Sequence, residues 1–362
     1  MITTKNNYCV ILAGGKGRRL WPCSREQRPK QFIDFFGCGR TQLQQTFDRF
    51  AEIVPAENIF VVTNAIYADL ARQQLPDVGP VNLLVEPIHR NTAPSAAWAT
   101  HRISHLCPDA NIIITPSDQS IHDEKAFIKD IEDGLSFVGT NGGILTMGIK
   151  PTRPEPGYGY IQAGNAVADG VFKVQSFTEK PEREFAKVFV ESGEFYWNTG
   201  LFLGKAGCLL EAFGRLLPPV LRNLDAEKPN FTLEEENEFV KENFPLYPNL
   251  SIDCGIFERS ENIFVKECNF GWADLGTWHS IYEAMRKGES DNVVVDSDVL
   301  LDNSRNNVIK LPKGKLAVIN GLDGFIVAEK DNVLLICKKE DSSSLVRKFV
   351  NEVQMKKGED YV

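Results

Sequence analysis

The chain has 362 residues, 43% of them hydrophobic and 25% charged, with a formal net charge of −9. That composition belongs to a globular protein with core-forming capacity for one large or two ordinary domains. The acidic balance lacks the broad basic footprint of a nucleic-acid binder, and no run of about eighteen uncharged apolar residues is present to span a membrane. In chain order, residues 8–13 are a short apolar run rich in strand formers. Gly14, Gly15 and Gly17 then let the backbone turn tightly and approach a ligand without Cβ interference. Successive N–H groups in such a turn can face an anion.

Between Lys16 and Lys30 stand Lys16, Arg18, Arg19, Arg25, Arg28 and Lys30, opposed only by Glu26. In an acidic chain this reversal of sign points to a small polyanion, since Arg offers a bidentate fork for phosphate and Lys a compact charge. The register Gly15-x-Gly17-x-x-Leu20 misses the dinucleotide pattern Gly-x-Gly-x-x-Gly, and no Gly-Lys-Ser/Thr follows for a P-loop. Pro29 stiffens the chain that presents Lys30. A glycine turn with a solvated basic face is the plainer alternative.

The apolar runs at 59–63, 82–86, 111–115 and 143–148 are continuous, as expected of strands covered on both faces. Between them helical spacing recurs, at Leu43, Phe47, Phe50 and Val54 and again within 65–75, 93–106 and 124–138. The alternation predicts an α/β fold, Rossmann-like, with a mainly parallel sheet, right-handed crossovers and ligands at the carboxyl ends of the strands.

Several candidate segments follow. Glu86-Pro87-Ile88-His89-Arg90-Asn91-Thr92-Ala93-Pro94 opens a helix, and Asn91 or Thr92 serves equally well as its N-cap. Asp118, after the run ending at Thr115, is placed to hold Mg²⁺ against a triphosphate, because that hard cation takes one or two carboxylates plus phosphate oxygens; a capping role is the alternative. Gly157-Tyr158-Gly159-Tyr160-Ile161 allows close backbone approach or simply enters an aromatic hairpin. Thr178-Glu179-Lys180-Pro181 places Pro181 at the first position of a helix. In Trp197-Asn198-Thr199-Gly200, Asn198 can donate and accept, as sugar-hydroxyl recognition requires, with a turn role as the alternative. Asp274, in Trp272-Ala273-Asp274-Leu275-Gly276-Thr277-Trp278, equally reads as an N-cap.

Leu12-Ala13-Gly14-Gly15-x-Gly17-x-Arg19-Leu20-Trp21-Pro22 with Pro29-Lys30-Gln31-Phe32 resembles the signature of sugar-1-phosphate nucleotidyltransferases, and Trp21 with Gln31-Phe32 is similar to its mannose-1-phosphate guanylyltransferase members. The resemblance implies that GTP and mannose 1-phosphate are the substrates and GDP-mannose and pyrophosphate the products, with Mg²⁺ as cofactor. It implies nucleotide contacts from Ala13, Gly14, Gly15, Gly17, Glu86, Asn91 and Thr92, with Glu86 accepting from guanine. Arg18, Lys30 and Lys180 would act on the phosphates, Gly159, Glu179 and Asn198 on the sugar, and Asp118 and Asp274 on the metal. Ser251-Ile252-Asp253 matches the start of a family motif, but Cys254-Gly255-Ile256-Phe257-Glu258 departs from it, so this stretch reads as packing first and substrate second. Gln119 stands where the family often has His.

From Asp291 onward short runs at 293–295, 299–301, 307–311, 315–319, 324–328 and 333–337 read as strands, with a helix at 343–354. The expected division is a catalytic domain over 1–288 and a small β-rich domain over 289–362. The resemblance implies a β-helix-like appendage used in packing or subunit contact, which leaves a homodimer open. Another hexose 1-phosphate or another base, a non-catalytic regulatory relative, and a nicotinamide dehydrogenase are the competing readings, the last disfavoured by the glycine register.

The eight cysteines include no Cys-x-x-Cys pair and read as reduced structural thiols. His101 and His105 lie one helical turn apart without a third ligand nearby and read as ordinary helix residues. With polar residues rather than a signal sequence before the first strand, a cytoplasmic protein is expected, without nucleic-acid or membrane partners.

Overall fold

The computed structural model describes residues 4–225 and 232–362. In chain order the strands are β1 Asn7–Leu12, β2 Ile59–Asn64, β3 Leu83–Glu86, β4 Asn111–Pro116, β5 Gln119–Ile121, β6 Ile144–Ile149, β7 Tyr160–Ala168, β8 Val171–Thr178, β9 Phe195–Lys205, β10 Ile263–Cys268, β11 Trp272–Asp274, β12 Val293–Val295, β13 Asp298–Asp302, β14 Val308–Lys310, β15 Leu316–Asn320, β16 Phe325–Lys330 and β17 Val333–Lys338. The chain separates into two compact units. One comprises the residues up to Gly14, Thr46–Ser117 and Ile121–Trp272; the other comprises Gly15–Gln45, Asp118–Ser120 and Ala273–Val362. The expected division at 288/289 falls within the second.

In the first unit a nine-stranded sheet has the order β3-β2-β1-β4-β9-β6-β10-β8-β7. The strands expected near 8, 59, 82, 111 and 143 are β1, β2, β3, β4 and β6, with small displacements of their ends. β1, β2, β3 and β4 pair in parallel, and β9 runs antiparallel between β4 and β6. Every residue of β2 is buried, which explains its unbroken apolar run. The sheet order reverses direction at β1, where β2 lies on one side and β4 on the other. Leu12 pairs with Pro116, so the chain leaves both strands side by side at this switch point, where open α/β sheets bind ligands.

The helix Thr92–Leu106 is buried along most of its length, and Ala93, Ala96, Ala97 and Ala99 allow it to lie close within the core. The helix Glu124–Asn141 starts at Asp123, whose side chain accepts from the Ala126 N–H at 3.0 Å. It buries Phe127, Ile131, Leu135 and Val138 along one face. One sequence expectation fails here. The helix after Lys180 begins at Arg183 with Glu182 as its N-cap, so Pro181 lies outside it. Lys180 holds a positive φ of 47°, which turns the chain before the helix can start.

In the second unit β12, β14 and β16 pair in parallel, β13 and β15 pair in parallel in a separate sheet, and β17 returns antiparallel on β16. Successive strands thus alternate between two sheets, the arrangement of a β-helix. Ile309, Leu311, Ile319 and Val327 fill the space between the sheets. A second cluster joins Leu20, Trp21 and Phe35 to Trp278, Ile281, Val308, Ile326 and the helix residues Val346 and Val350. Trp21 Nε1 donates to the Tyr361 carbonyl at 2.7 Å and Trp278 Nε1 to the Trp21 carbonyl at 3.1 Å.

The turns of the coil are joined by buried asparagines. Asn307, fully buried, donates through Nδ2 to Asn292 Oδ1 and to the Leu322 carbonyl, both at 2.9 Å, and its Oδ1 accepts from the Phe325 N–H at 2.8 Å. Asn307→Ala would remove the acceptor of the Phe325 N–H and one of the two donors to the Leu322 carbonyl, which keeps the Arg305 N–H at 2.9 Å. It should lower the unfolding free energy, measured in urea, by about 2–4 kcal/mol; a change below about 0.5 kcal/mol would mean the ladder contributes little.

Candidate functional site

In the second unit three residues from separated parts of the chain meet. Lys30 leads the short turn Lys30–Phe32, in which all three residues are buried, and Gln31 Nε2 donates to the Gly15 carbonyl at 2.8 Å. The Lys30 ammonium is in direct contact with Asp118 Oδ2 and lies 4.0 Å from Asp274 Oδ1. The three side chains are 10%, 19% and 29% exposed, so the group is partly withdrawn from water yet reachable. Neither aspartate serves as a helix cap. The helix Trp278–Ala284 is capped by Thr277, in a capping box with Ser280, and Glu124–Asn141 is capped by Asp123. Among the described residues no group of three or more His, Cys, Asp and Glu is clustered for a metal. Two carboxylate ligands suit a hard cation that completes its shell from phosphate and water oxygens.

The cations of the glycine turn divide by task. Arg18 and Lys16 both pair with Glu26; burial would raise that carboxyl, but Arg18 and then Lys16 hold it below the ordinary carboxylate range. Arg19 Nη2 and both Asp274 carboxylate oxygens crowd the open side of Gly276. Arg25 donates to the carbonyls of Lys330, Asp331 and Asp360, and Arg28 to that of Phe32, so these two brace backbone. Gly17 has φ 62°, and a Cβ there would meet Ser24 Oγ and lie 3.0 Å from the Lys30 nitrogen; a larger residue would push the lysine turn away.

In the first unit Ala13 and Gly14 follow β1. The Ala13 N–H donates to the Val62 carbonyl at 2.8 Å, and the open side of Gly14 faces Glu86 Oε2 and His89. Glu86 ends β3 and is buried; its Oε1 contacts Ser95 Oγ, which lies 2.9 Å from the Asn91 carbonyl. Asn91 is the N-cap of the helix Thr92–Leu106 and accepts from the Thr92 N–H at 3.0 Å, with a positive φ of 64°. The Thr92 hydroxyl instead accepts from the Ile252 N–H at 2.8 Å, and the Ala93 N–H donates to the Leu250 carbonyl at 3.0 Å. The helix start and the 250–253 turn are therefore tied together.

Also in the first unit, Gly159, Glu179, Lys180 and Asn198 come together. A Cβ at Gly159 would lie 2.8 Å from Glu179 Oε2 and 3.3 Å from the Asn198 Cβ, so a larger residue would displace the Glu179 carboxylate. The Lys180 ammonium contacts Glu179 Oε1, and the Asn198 N–H donates to the Gly159 carbonyl at 2.8 Å. Positive φ values at Asn91 and Lys180 carry a conformational penalty of about 1–3 kcal/mol each, of a kind concentrated at functional sites.

The nucleotidyl transferase family model matches residues 8–291. The chain belongs to the nucleotidyl transferase family. It is the family that the glycine-rich motif resembles. A mannose-1-phosphate guanylyltransferase from Salmonella muenchen is 34% identical over 349 residues, covering 94% of this nucleotidyl transferase and 72% of the relative. The alginate biosynthesis protein AlgA of Pseudomonas syringae pv. tomato is 34% identical over 91% of this chain and 68% of its own length. A crystal structure from Thermus thermophilus, named a mannose-1-phosphate geranyltransferase, matches with a TM-score of 0.86 at 28% identity, covering 96% of this chain and 99% of that one.

Some residues of this nucleotidyl transferase's candidate site gave little or no sequence signal. Ser95 had none, because it matters only through Glu86, nine residues away, and Glu26 was visible only as the one acid in the basic stretch. Arg19 stood in the quoted signature, but nothing in the sequence placed it beside Asp274.

Burial raises the Glu86 carboxyl from 4.5 to about 8, and the Ser95 hydrogen bond only partly offsets this. The native state then holds the proton more tightly than the unfolded chain, so stability falls as pH climbs from about 4.5 to about 8. Glu86→Gln supplies a neutral group in the same place. Its melting temperature should match the wild type near about pH 5 and exceed it by several degrees at about pH 8.5. An offset that does not vary with pH would show that Glu86 titrates normally.

Proposed function

We propose that this nucleotidyl transferase moves the GMP moiety of GTP onto α-mannose 1-phosphate, giving GDP-mannose and pyrophosphate. Relatives named mannose-1-phosphate guanylyltransferase, aligned over nearly the whole chain, support the reading. The observation that carries it is the meeting of Lys30, Asp118 and Asp274 at one point.

The sugar phosphate is the nucleophile. One of its ionised oxygens attacks the α-phosphorus in line; a new P–O bond forms as the bond to the bridging oxygen of the β-phosphate breaks, and the electron pair leaves with pyrophosphate. No side chain need be acylated or deprotonated, so the residues act by positioning and by neutralising charge. In this reading Ala13, Gly14, Gly15 and Gly17 present backbone groups to the nucleotide, and Glu86, Asn91 and Thr92 border the base. Arg18 grips the departing pyrophosphate, Lys30 bridges the reacting phosphates and Lys180 holds the sugar phosphate. Gly159, Glu179 and Asn198 border the hexose. Asp118 and Asp274 would hold Mg²⁺, which when bound neutralises triphosphate charge. Residues 1–288 form the catalytic domain and 289–362 the appended coil, and a cytoplasmic setting fits the unpaired cysteines.

Pyrophosphate release with GTP and mannose 1-phosphate should exceed that with ATP, UTP or glucose 1-phosphate. Asp118→Ala and Lys30→Ala should each lower turnover by about 10²-fold or more with circular dichroism unchanged, the scale expected for one preorganised electrostatic group. Full release by Asp118→Ala would refute the metal assignment. The exposed Leu300, Leu316 and Val318 on the paired strands β13 and β15 fit a homodimer built on the coil. Sedimentation equilibrium at twice the 40.5 kDa chain mass checks it, and a monomer at that mass rejects it.

A further inference from the structure

Asn198 is expected to offer a sugar both a donor and an acceptor. Its hydrogen bonds leave only half of that capacity. Its Oδ1 accepts from Thr146 Oγ1 and from the Gly200 N–H, each at 3.1 Å, and its Nδ2 donates to Asp253 Oδ1 at 2.8 Å. An amide oxygen has two lone pairs; the Gly200 N–H takes one, and the single Thr146 hydroxyl proton is shared between the other and the Leu201 carbonyl at 3.2 Å. Flipping the amide is no remedy, because it would set Nδ2 against the Gly200 N–H and Oδ1 against the Asp253 carboxylate. Asn198 retains a single N–H for a ligand, and its oxygen is largely committed to protein donors.

Hexose hydroxyls need acceptors as well as donors. In this cluster Glu179 Oε1 is taken by the Lys180 ammonium, while the Asp253 carboxylate accepts from Asn198 Nδ2 and from its own backbone N–H and keeps lone pairs beyond these two. Asp253 is partly exposed and stands where Glu179 and Lys180 both act on it electrostatically. Its position is fixed from two sides. Ser251 caps the short turn Ile252–Gly255 by accepting from the Cys254 N–H at 3.2 Å, and the Thr92 hydroxyl holds the Ile252 N–H. A carboxylate held this firmly, bonded to an oriented amide and within the field of the Lys180 ammonium, is arranged for directional recognition.

We propose that Asp253 is a specificity-determining residue of the reaction, the remaining lone pairs of its carboxylate accepting hydrogen bonds from hydroxyls of the hexose phosphate while its Oδ1 orients Asn198. This rests on the sugar-phosphate reading above. Burial first, then Glu179, pushes the Asp253 carboxyl up to about 6, against the opposing effects of Lys180 and Asn198. Recognition should therefore weaken as pH falls through that value, where the acceptor gains a proton.

Asp253→Asn separates the two roles, since its amide oxygen can still accept from Asn198 while the opposite atom becomes a donor. The expected result is a KM for mannose 1-phosphate raised about 10-fold or more, a KM for GTP within about 2-fold and an unchanged melting temperature. The wild type should also lose kcat/KM for the sugar phosphate below about pH 6 more steeply than Asp253→Asn. One of the 2-, 3-, 4- and 6-deoxy analogues should be used equally well by the two proteins, which identifies the hydroxyl. If the wild type turns over mannose 1-phosphate and Asp253→Asn matches it in KM, pH profile and discrimination among the deoxy analogues, Asp253 is structural and the assignment is overturned. If the wild type fails with mannose 1-phosphate and every nucleotide, the functional reading itself falls, and this assignment with it.

Discussion

Two carboxylates held near one another, partly out of water, repel and are poorly solvated, and the arrangement persists only with a cation between them. Asp118 and Asp274 satisfy that condition through Lys30. Each arrives by a different route: Lys30 on a buried turn, Asp118 after β4 and Asp274 at the end of β11. Much of the second unit serves to hold these arrivals. Leu20, Trp21 and Phe35 pack with Trp278 and the strands of the coil, and the Trp21 and Trp278 indoles are each hydrogen-bonded to backbone. A residue that looks like a nucleotide-motif residue in sequence, Trp21, is in structure a core residue that fixes where the motif lies.

The same economy appears in the first unit. Thr92 joins the start of a core helix to the turn bearing Asp253, and Asp253 joins that turn to Asn198 on β9. The start of the helix Thr92–Leu106 and the strand that carries Asn198 are thus connected through the 250–253 turn by directional hydrogen bonds rather than by apolar packing alone. Apolar contacts tolerate small slips, whereas a hydrogen bond weakens steeply with misalignment, so such ties are suited to holding polar groups at set distances.

Charge is divided just as unevenly. Of the six cations between residues 16 and 30, Arg25 and Arg28 donate to backbone carbonyls, Lys16 and Arg18 share Glu26, and Lys30 holds the two aspartates. A guanidinium that completes the hydrogen bonding of a chain segment is structural even when it sits in a basic stretch. The count of cations along the sequence therefore overstates the number of donors left for direct contact with a ligand.

The sequence was sufficient for the architecture and for the chemical class. Continuous apolar runs and helical periodicity, which reflect burial on two faces or one, located β1, β2, β3, β4 and β6 and the strands of the coil, because these patterns are local. The glycine-rich motif and the Trp-x-Asp segment pointed to a family for the same reason. Nothing local shows that Arg25 braces distant carbonyls, that Asn198 is largely committed to protein partners, or that Thr92 holds the Ile252 N–H. Those outcomes depend on which groups meet after residues far apart in the chain have packed, and a polar side chain's capacity for a ligand is whatever its protein partners leave unfilled.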